Sequence, residues 1–208
     1  MYVPKRYEEK DLAEIREFIR ANGFATLISY DQDAPVATHL PLQLHQADDG
    51  QEFLYGHFAR ANKQWHSLEY QKSVLAIFLG PHVYITPRWY DHMNVPTWNY
   101  AAVHVYGSPI IVSDPKETHS MLKNLVQQYE PEGKYSVDSL SKEYYEDHVK
   151  AIVGFKIKIE RVEAAFKLSQ NRHEKDFENV ISELTKSGND HAIGVAELMK
   201  KKNPHSKK

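Results

Sequence analysis

The stretch Phe24-Ala-Thr-Leu-Ile-Ser-Tyr-Asp-Gln-Asp-Ala-Pro-Val-Ala-Thr-His-Leu-Pro-Leu-Gln-Leu44 decides the fold class. Phe24–Tyr30 is apolar and β-branched enough for a strand, Asp31–Pro35 carries turn residues, and Val36–Leu44 runs back as a second strand. Pro41 inside the second strand marks an edge or a bulge, because proline cannot donate to a ladder. The same pattern of short strands and turns continues outward. Glu52–Phe58 follows the turn Ala47–Gly50, Ser73–Leu79 ends at Gly80-Pro81, and Val83–Thr86 pairs after that turn. Tyr100–Ser113 is a long strand expected to bend near Gly107, and Ile152–Ile159 alternates apolar residues with Lys156 and Lys158. Arg88–Trp98 is expected to be an irregular loop.

Helices interrupt and flank these strands. Leu12, Ile15, Phe18 and Ile19 recur at helical spacing within Glu8–Asn22, and Gly23 stops that helix. Ala61–Tyr70 reads as a helix, and Asp114-Pro115 opens another that runs to about Tyr129. A looser helical stretch spans Val137–His148. Lys175–Lys186 and His191–Lys201 form a terminal hairpin about Ser187–Asp190. The whole predicts an α+β protein: an antiparallel β-barrel with peripheral helices. A domain over residues 1–172 is expected, with 173–208 as a helical extension and basic tail packed on it.

Composition narrows the function classes. The chain has 208 residues, 41% hydrophobic and 26% charged, which is ordinary globular usage. It contains no cysteine, so disulfides, thiolate metal sites and thiol nucleophiles are excluded. No apolar run suffices to span a bilayer, and Met1–Tyr7 lacks a secretory apolar stretch, so a cytoplasmic protein is expected. The formal net charge of −2 supplies no footprint for duplex DNA. Lys200–Lys208 is a basic tail, read as a solubilising terminus. The terminal hairpin resembles a helix-turn-helix only superficially, since Asp176, Glu178, Glu183, Asp190 and Glu197 make it acidic. The 12 histidines show no HExxH spacing and predict no metal site. P-loop, GxGxxG and nucleophile-elbow motifs do not occur.

Gly56-His-Phe-Ala-Arg-Ala-Asn-Lys-Gln-Trp65 carries the most chemistry. A strand ends and a helix starts there, with Arg60 and Lys63 flanking the junction and Asn62 able to cap it. That pattern suits a terminal phosphate, and it equally suits a capped helix with a solvated basic pair. Thr38-His-Leu-Pro41 offers edge backbone to a ligand or is a simple edge strand. Tyr84–Tyr90 and Val95–Tyr100 are dense in aromatics that stack on a planar ring or pack an interface.

Taken together, these motifs, with Met1–Tyr7 and Lys167-Leu-Ser-Gln-Asn-Arg172, resemble the PaiB family over nearly the whole chain. The resemblance implies an FMN-binding split barrel similar to pyridoxamine-phosphate oxidases, with two cofactor sites at a homodimer interface. It implies a negative transcriptional regulator of protease production and sporulation. The alternative is a flavin-dependent oxidoreductase or a haem-binding or haem-degrading enzyme. On this likeness Arg60, Ala61, Asn62 and Lys63 would meet the FMN phosphate, and Thr38, His39, Leu40 and Pro41 would lie along the isoalloxazine edge. Trp65, Trp98 and Tyr100 would wall the site. No catalytic acid or base is assigned, His39 and His57 being the nearest titratable groups. Haem is the alternative cofactor, and direct DNA contact has no support in charge or motif.

Overall fold

The structure is a computed structural model that describes residues 1–32 and 34–206. The expected turn at Asp31–Pro35 and the basic tail each include residues outside that description. The elements in chain order are α1 (Leu12–Ala21), β1 (Phe24–Asp31), β2 (Ala34–Pro41), β3 (Gln43–Gln46), β4 (Glu52–Ala59), α2 (Gln64–Leu68), β5 (Val74–Ile85) and β6 (Thr97–Ile111). They continue with α3 (Pro115–Tyr129), α4 (Lys142–Lys150), β7 (Ile152–Lys167), α5 (Glu174–Lys186) and α6 (Asp190–Lys201). The strands form one sheet in the order β2-β1-β5-β6-β7-β4-β3, an antiparallel α+β arrangement as the sequence predicts.

The stretch Val36–Leu44, expected as one strand, is two. β2 pairs with β1 from Ala34 to Pro41, and β3 pairs with β4 from Gln43 to Gln46. Between them Leu42 is buried and donates its N–H to Gly23 O at 2.8 Å. A single crossing at Pro41-Leu42 therefore supplies both edges of the sheet. β2 also approaches β4, the strand next to the other edge: a Cβ on Gly56 of β4 would lie 3.1 Å from Leu40 Cδ1 of β2.

Two other strands exceed their expected bounds. β5 runs unbroken through Gly80-Pro81, where a turn is expected. Its ladder with β1 covers only Leu75–Ile77, so Pro81 lies outside that paired stretch. β7 continues to Lys167 through Glu160, Arg161 and Glu163, charges that argue against a strand in isolation. Each finds a partner: Glu160 accepts from Ser108 Oγ, the Arg161 guanidinium lies 3.6 Å above the Tyr106 ring, and Glu163 meets the Met1 amino group.

The chain divides into two compact units. The first comprises Met1–Phe18, Leu79–His104 and Glu163–Lys208; the second comprises Ile19–Phe78 and Val105–Val162. The first is cored by Ile85, Phe166, Leu168, Phe177, Val180, Leu184, Val195 and Met199, all essentially buried. α5 and α6 turn about Gly188, whose φ of 67° suits glycine, and Asn189 caps α6 by accepting the Ala192 N–H. The second unit is cored by Leu27, Leu42, Leu54, Phe58, Phe78, Phe155 and Ile157. Among the described residues, no helix is long and apolar enough to cross a membrane.

Candidate functional site

The corner after β4 is built differently from the long helix start that its sequence predicts. α2 has only five residues, Gln64–Leu68, instead of Ala61–Tyr70. Lys63 stands at its N-cap position without a side-chain cap, and Asn62 just before it accepts the Gln64 N–H on its Oδ1 at 3.0 Å. The Gln64 and Ser67 side chains of α2 turn toward β1. The Ser67 hydroxyl lies 2.7 Å from both Gln64 O and Ser29 Oγ. A one-turn helix contributes little macrodipole, so any anion here must be held by side chains.

Arg60 is anchored: its Nε donates to Lys150 O at 2.7 Å and its Nη2 to Ile152 O at 2.8 Å. The remaining guanidinium N–H groups are free of these bonds, and the residue is exposed. Ala61 and Lys63 are exposed beside it, and no ion pair to Lys63 occurs among the described residues. Trp65 donates its indole N–H to Arg60 O at 3.1 Å and stacks on His66 at 3.6 Å.

A polar network ties this corner to β2 and β1. Asn62 Nδ2 donates to Thr38 Oγ1 at 2.8 Å, and Thr38 Oγ1 donates to Gln64 Oε1 at 2.5 Å. Buried Gln64 Nε2 reaches Leu27 O, Val36 O and Ser29 Oγ within 3.2 Å. The Thr38–Asn62 bond joins the two sequence-predicted segments. Gln64, which lies in the Gly56–Trp65 segment but has no role assigned there, completes the network with Ser29 and Ser67, which carry no motif; their buried amide and hydroxyls acquire meaning only once the chain has folded. Gln64→Leu is expected to destabilise by about 2–3 kcal/mol, since it orphans several buried acceptors. Urea unfolding measures this, and a loss under about 0.5 kcal/mol would show that the network is not structural.

The other predicted residues fall as follows. His39 is exposed on β2, its Nδ1 lying 2.9 Å from Thr26 Oγ1 and its ring stacked on Phe24. Leu40 is buried and Pro41 half-buried, so Leu40 supports the strand and leaves only its backbone to the edge. Trp98 and Tyr100 belong to the first unit. There Trp98, half exposed, packs on His82 and edge-on to Tyr84. His57 of β4 is held below the usual histidine range by burial.

A separate cavity of about 420 Å³ beneath α3 shares no residue with the corner; Gln43, His45, Tyr55, Glu117 and Ser120 line it. Glu117 there accepts from Tyr55 Oη at 2.8 Å and from Lys156 Nζ at 2.6 Å. Burial, then the Glu117 carboxylate, pushes the Tyr55 hydroxyl up to about 12. In the first unit Lys201 and Lys202, at the end of α6, pair with Glu9, Glu14 and Glu17. Those lysines are thus engaged within the chain instead of presenting free charge to a phosphate backbone.

Comparison with known proteins agrees with this architecture. Residues 1–161 match the family model described as "Putative FMN-binding domain". The chain is 44% identical to the protease synthase and sporulation protein PAI 2 of Bacillus subtilis over 204 residues, 97% of this chain and 98% of that protein. Among solved structures, the flavocytochrome Anf3 of Azotobacter vinelandii superposes with a TM-score of 0.61 at 15% identity, covering 85% of this chain and 78% of that one. An FAD and haem binding protein of Mycobacterium smegmatis superposes with a TM-score of 0.59 at 11% identity, covering 77% and 73%. The structural likeness establishes the split-barrel fold. By domain model and by sequence, the chain belongs to the PaiB family of proteins with the FMN-binding split-barrel fold.

Proposed function

We propose that this chain binds FMN at the Arg60–Lys63 corner and acts as a homodimeric regulatory protein of the PaiB type. The observation that carries the reading is the pair of exposed cations Arg60 and Lys63 on a turn that the Thr38–Asn62 bond holds beside the edge strand β2, with the Arg60 guanidinium anchored on Lys150 O and Ile152 O. This donor set fits a phosphate: Arg60 keeps N–H groups in a planar fork, and Lys63 adds a mobile point charge. Asn62 and Ala61 shape the turn, while the backbone of Thr38–Pro41 offers edge donors and acceptors to a planar ring. Trp65 is placed to wall the site, and Trp98 and Tyr100 are assigned as aromatic walls of a complete dimeric site. Flavin, when bound, supplies one- and two-electron redox chemistry. What this chain supplies is position and charge. The regulatory part of the reading rests on the resemblance to the PaiB family, and the paired lysines at the end of α6 favour action that does not use this hairpin on DNA.

FMN titration followed by flavin fluorescence tests the site. Arg60→Ala with Lys63→Ala is expected to weaken FMN binding by about 30-fold or more, from the loss of two charge-assisted contacts. Riboflavin, which lacks the phosphate, should bind the wild type and the variant equally. Since Arg60 also braces the α4–β7 junction, Lys63→Ala alone separates binding from stability. Equal FMN affinity in all three proteins would refute the corner as the phosphate site. A Soret band on adding haemin, without any flavin response, would replace the flavin reading by the haem one.

A further inference from the structure

Four side chains remote in sequence meet in the first unit. Asp91 and His92 follow the short helical turn after β5, while His173 and Asp176 stand at the start of α5. One ligand atom from each lies within 4.8 Å of all the others. Their contacts close a ring in which nitrogen and oxygen alternate. His92 Nδ1 lies 3.1 Å from Asp91 Oδ1, which is 3.3 Å from His173 Nε2. His173 Nε2 is 3.2 Å from Asp176 Oδ2, which returns to His92 Nδ1 at 3.3 Å. A tetrahedral ion with bonds of about 2.0–2.1 Å holds its ligands about 3.3–3.4 Å apart; the four nitrogen–oxygen distances already have nearly that spacing, and the two diagonal distances are within 4.8 Å.

Asp176 separates this ring from ordinary surface ion pairs. It is 0% exposed, and its Oδ1 accepts the Asp91 N–H at 3.0 Å. Its Oδ2 accepts no hydrogen bond among the described residues, although both imidazole nitrogens stand close to it. A buried carboxylate oxygen in that position calls for a cation, and this one is aimed at the point where the other three donors converge. Lys175 reaches the opposite oxygen of Asp91, Oδ2, at 3.2 Å and so leaves Oδ1 to the ring.

We propose that Asp91, His92, His173 and Asp176 bind one zinc-class divalent ion, a clasp fastening the Asp91–His92 loop to the start of α5. Two imidazoles and two carboxylates suit Zn²⁺ or Co²⁺ better than Mg²⁺ or Ca²⁺, which favour oxygen shells. Four protein donors make a closed, structural site instead of a catalytic one. Binding places the imidazole protons on the outer nitrogens. There the Asn94 amide, 3.0 Å from His92 Nε2, accepts only by turning its oxygen away from the Val95 N–H, which it now accepts at 2.8 Å. The long 3.4 Å contact from Asp176 N–H to His173 Nδ1 is given up in exchange. The positive end of α5 opposes a cation, a smaller influence than four-donor coordination.

Untagged full-length chain, stripped with chelator, is titrated with ZnCl₂ by calorimetry and with CoCl₂ by visible absorption. The expected result is one Zn²⁺ per chain, a raised Tm, and tetrahedral ligand-field bands for Co²⁺ that Zn²⁺ abolishes; MgCl₂ should do nothing. His92→Ala and His173→Ala should each weaken Zn²⁺ binding by about 100-fold or more, beyond the usual effect of losing an outer-sphere partner. Asp176→Asn should do the same, and if it fails to fold the two histidine variants decide. No zinc uptake, uptake undiminished in either histidine variant, or purely octahedral Co²⁺ bands would each overturn the proposal.

Discussion

Gly107→Ala is expected to destabilise the protein by about 3 kcal/mol or more. A Cβ on Gly107 would lie 2.0 Å from the backbone oxygen of Lys158 and 2.9 Å from Ile157 Cγ2. Gly107 sits within β6, beside β7 in the sheet, and a strand carbonyl cannot swing aside as a side chain can. The whole strand must shift, and the ladder with it. Gly154→Ala is the control. Its Cβ would meet Met121 Cε at 3.3 Å and Val112 Cβ at 3.5 Å, and the flexible methionine can give way. That variant should lose less than about 1 kcal/mol. Urea midpoints for the two proteins measure the contrast. Equal midpoints would mean that β6 and β7 are not in the close contact described.

Phe155→Ala should lose about 3–5 kcal/mol, the usual range for deleting a buried aromatic ring. Phe155 is 0% exposed, and its ring stacks on Phe58 at 4.9 Å. It also faces Gly56 directly across the β4–β7 ladder, covering the space that a glycine leaves open. An added Cβ at Gly56 would meet Phe155 Cζ at 3.0 Å and Leu42 Cδ2 at 2.7 Å. Gly56→Ala should therefore be less damaging in the Phe155→Ala background than in the wild type, by about 1 kcal/mol. Thermal or chemical denaturation of the double-mutant cycle reads this coupling. Additive effects would show that the glycine is small for a reason other than the ring opposite it.

The zinc clasp and the flavin corner make separate demands on the chain. Failure of FMN binding in the Lys63→Ala variant says nothing of His92 or His173, which belong to the first unit, whereas Lys63 belongs to the second. The two experiments can therefore fail independently.

Much of the fold is legible in local pattern. The apolar spacing of Ile15, Phe18 and Ile19 marks α1, and all three are buried. Asp114-Pro115 marks the start of α3, where Asp114 accepts the Lys116 N–H. The alternation from Val153 to Ile157 marks β7, and Gly188-Asn189 marks the α5–α6 turn. These signals are local because helix caps, turns and one-sided burial are satisfied within a few residues. The candidate corner was legible in its residue types, since a basic pair beside a helix start states its chemistry before folding.

Tertiary contact decided the remainder. Nothing local says that Val36–Leu44 breaks at Leu42 to furnish both edges of the sheet, because the break follows from which partner strand each half finds. Glu160, Arg161 and Glu163 look like the end of a strand until Ser108, Tyr106 and the Met1 amino group are brought beside them. Gln64 looks like any exposed helical polar residue until three acceptors surround its amide. Asp91, His92, His173 and Asp176 carry no motif, because their ligand geometry is created by packing an aromatic loop on a distant helix. The sequence by itself determined most of the helices and strands, the fold class and the basic corner. The folded chain alone determined the sheet edges, the buried polar network and the four-residue ring, since long-range pairing satisfies groups that local pattern leaves open.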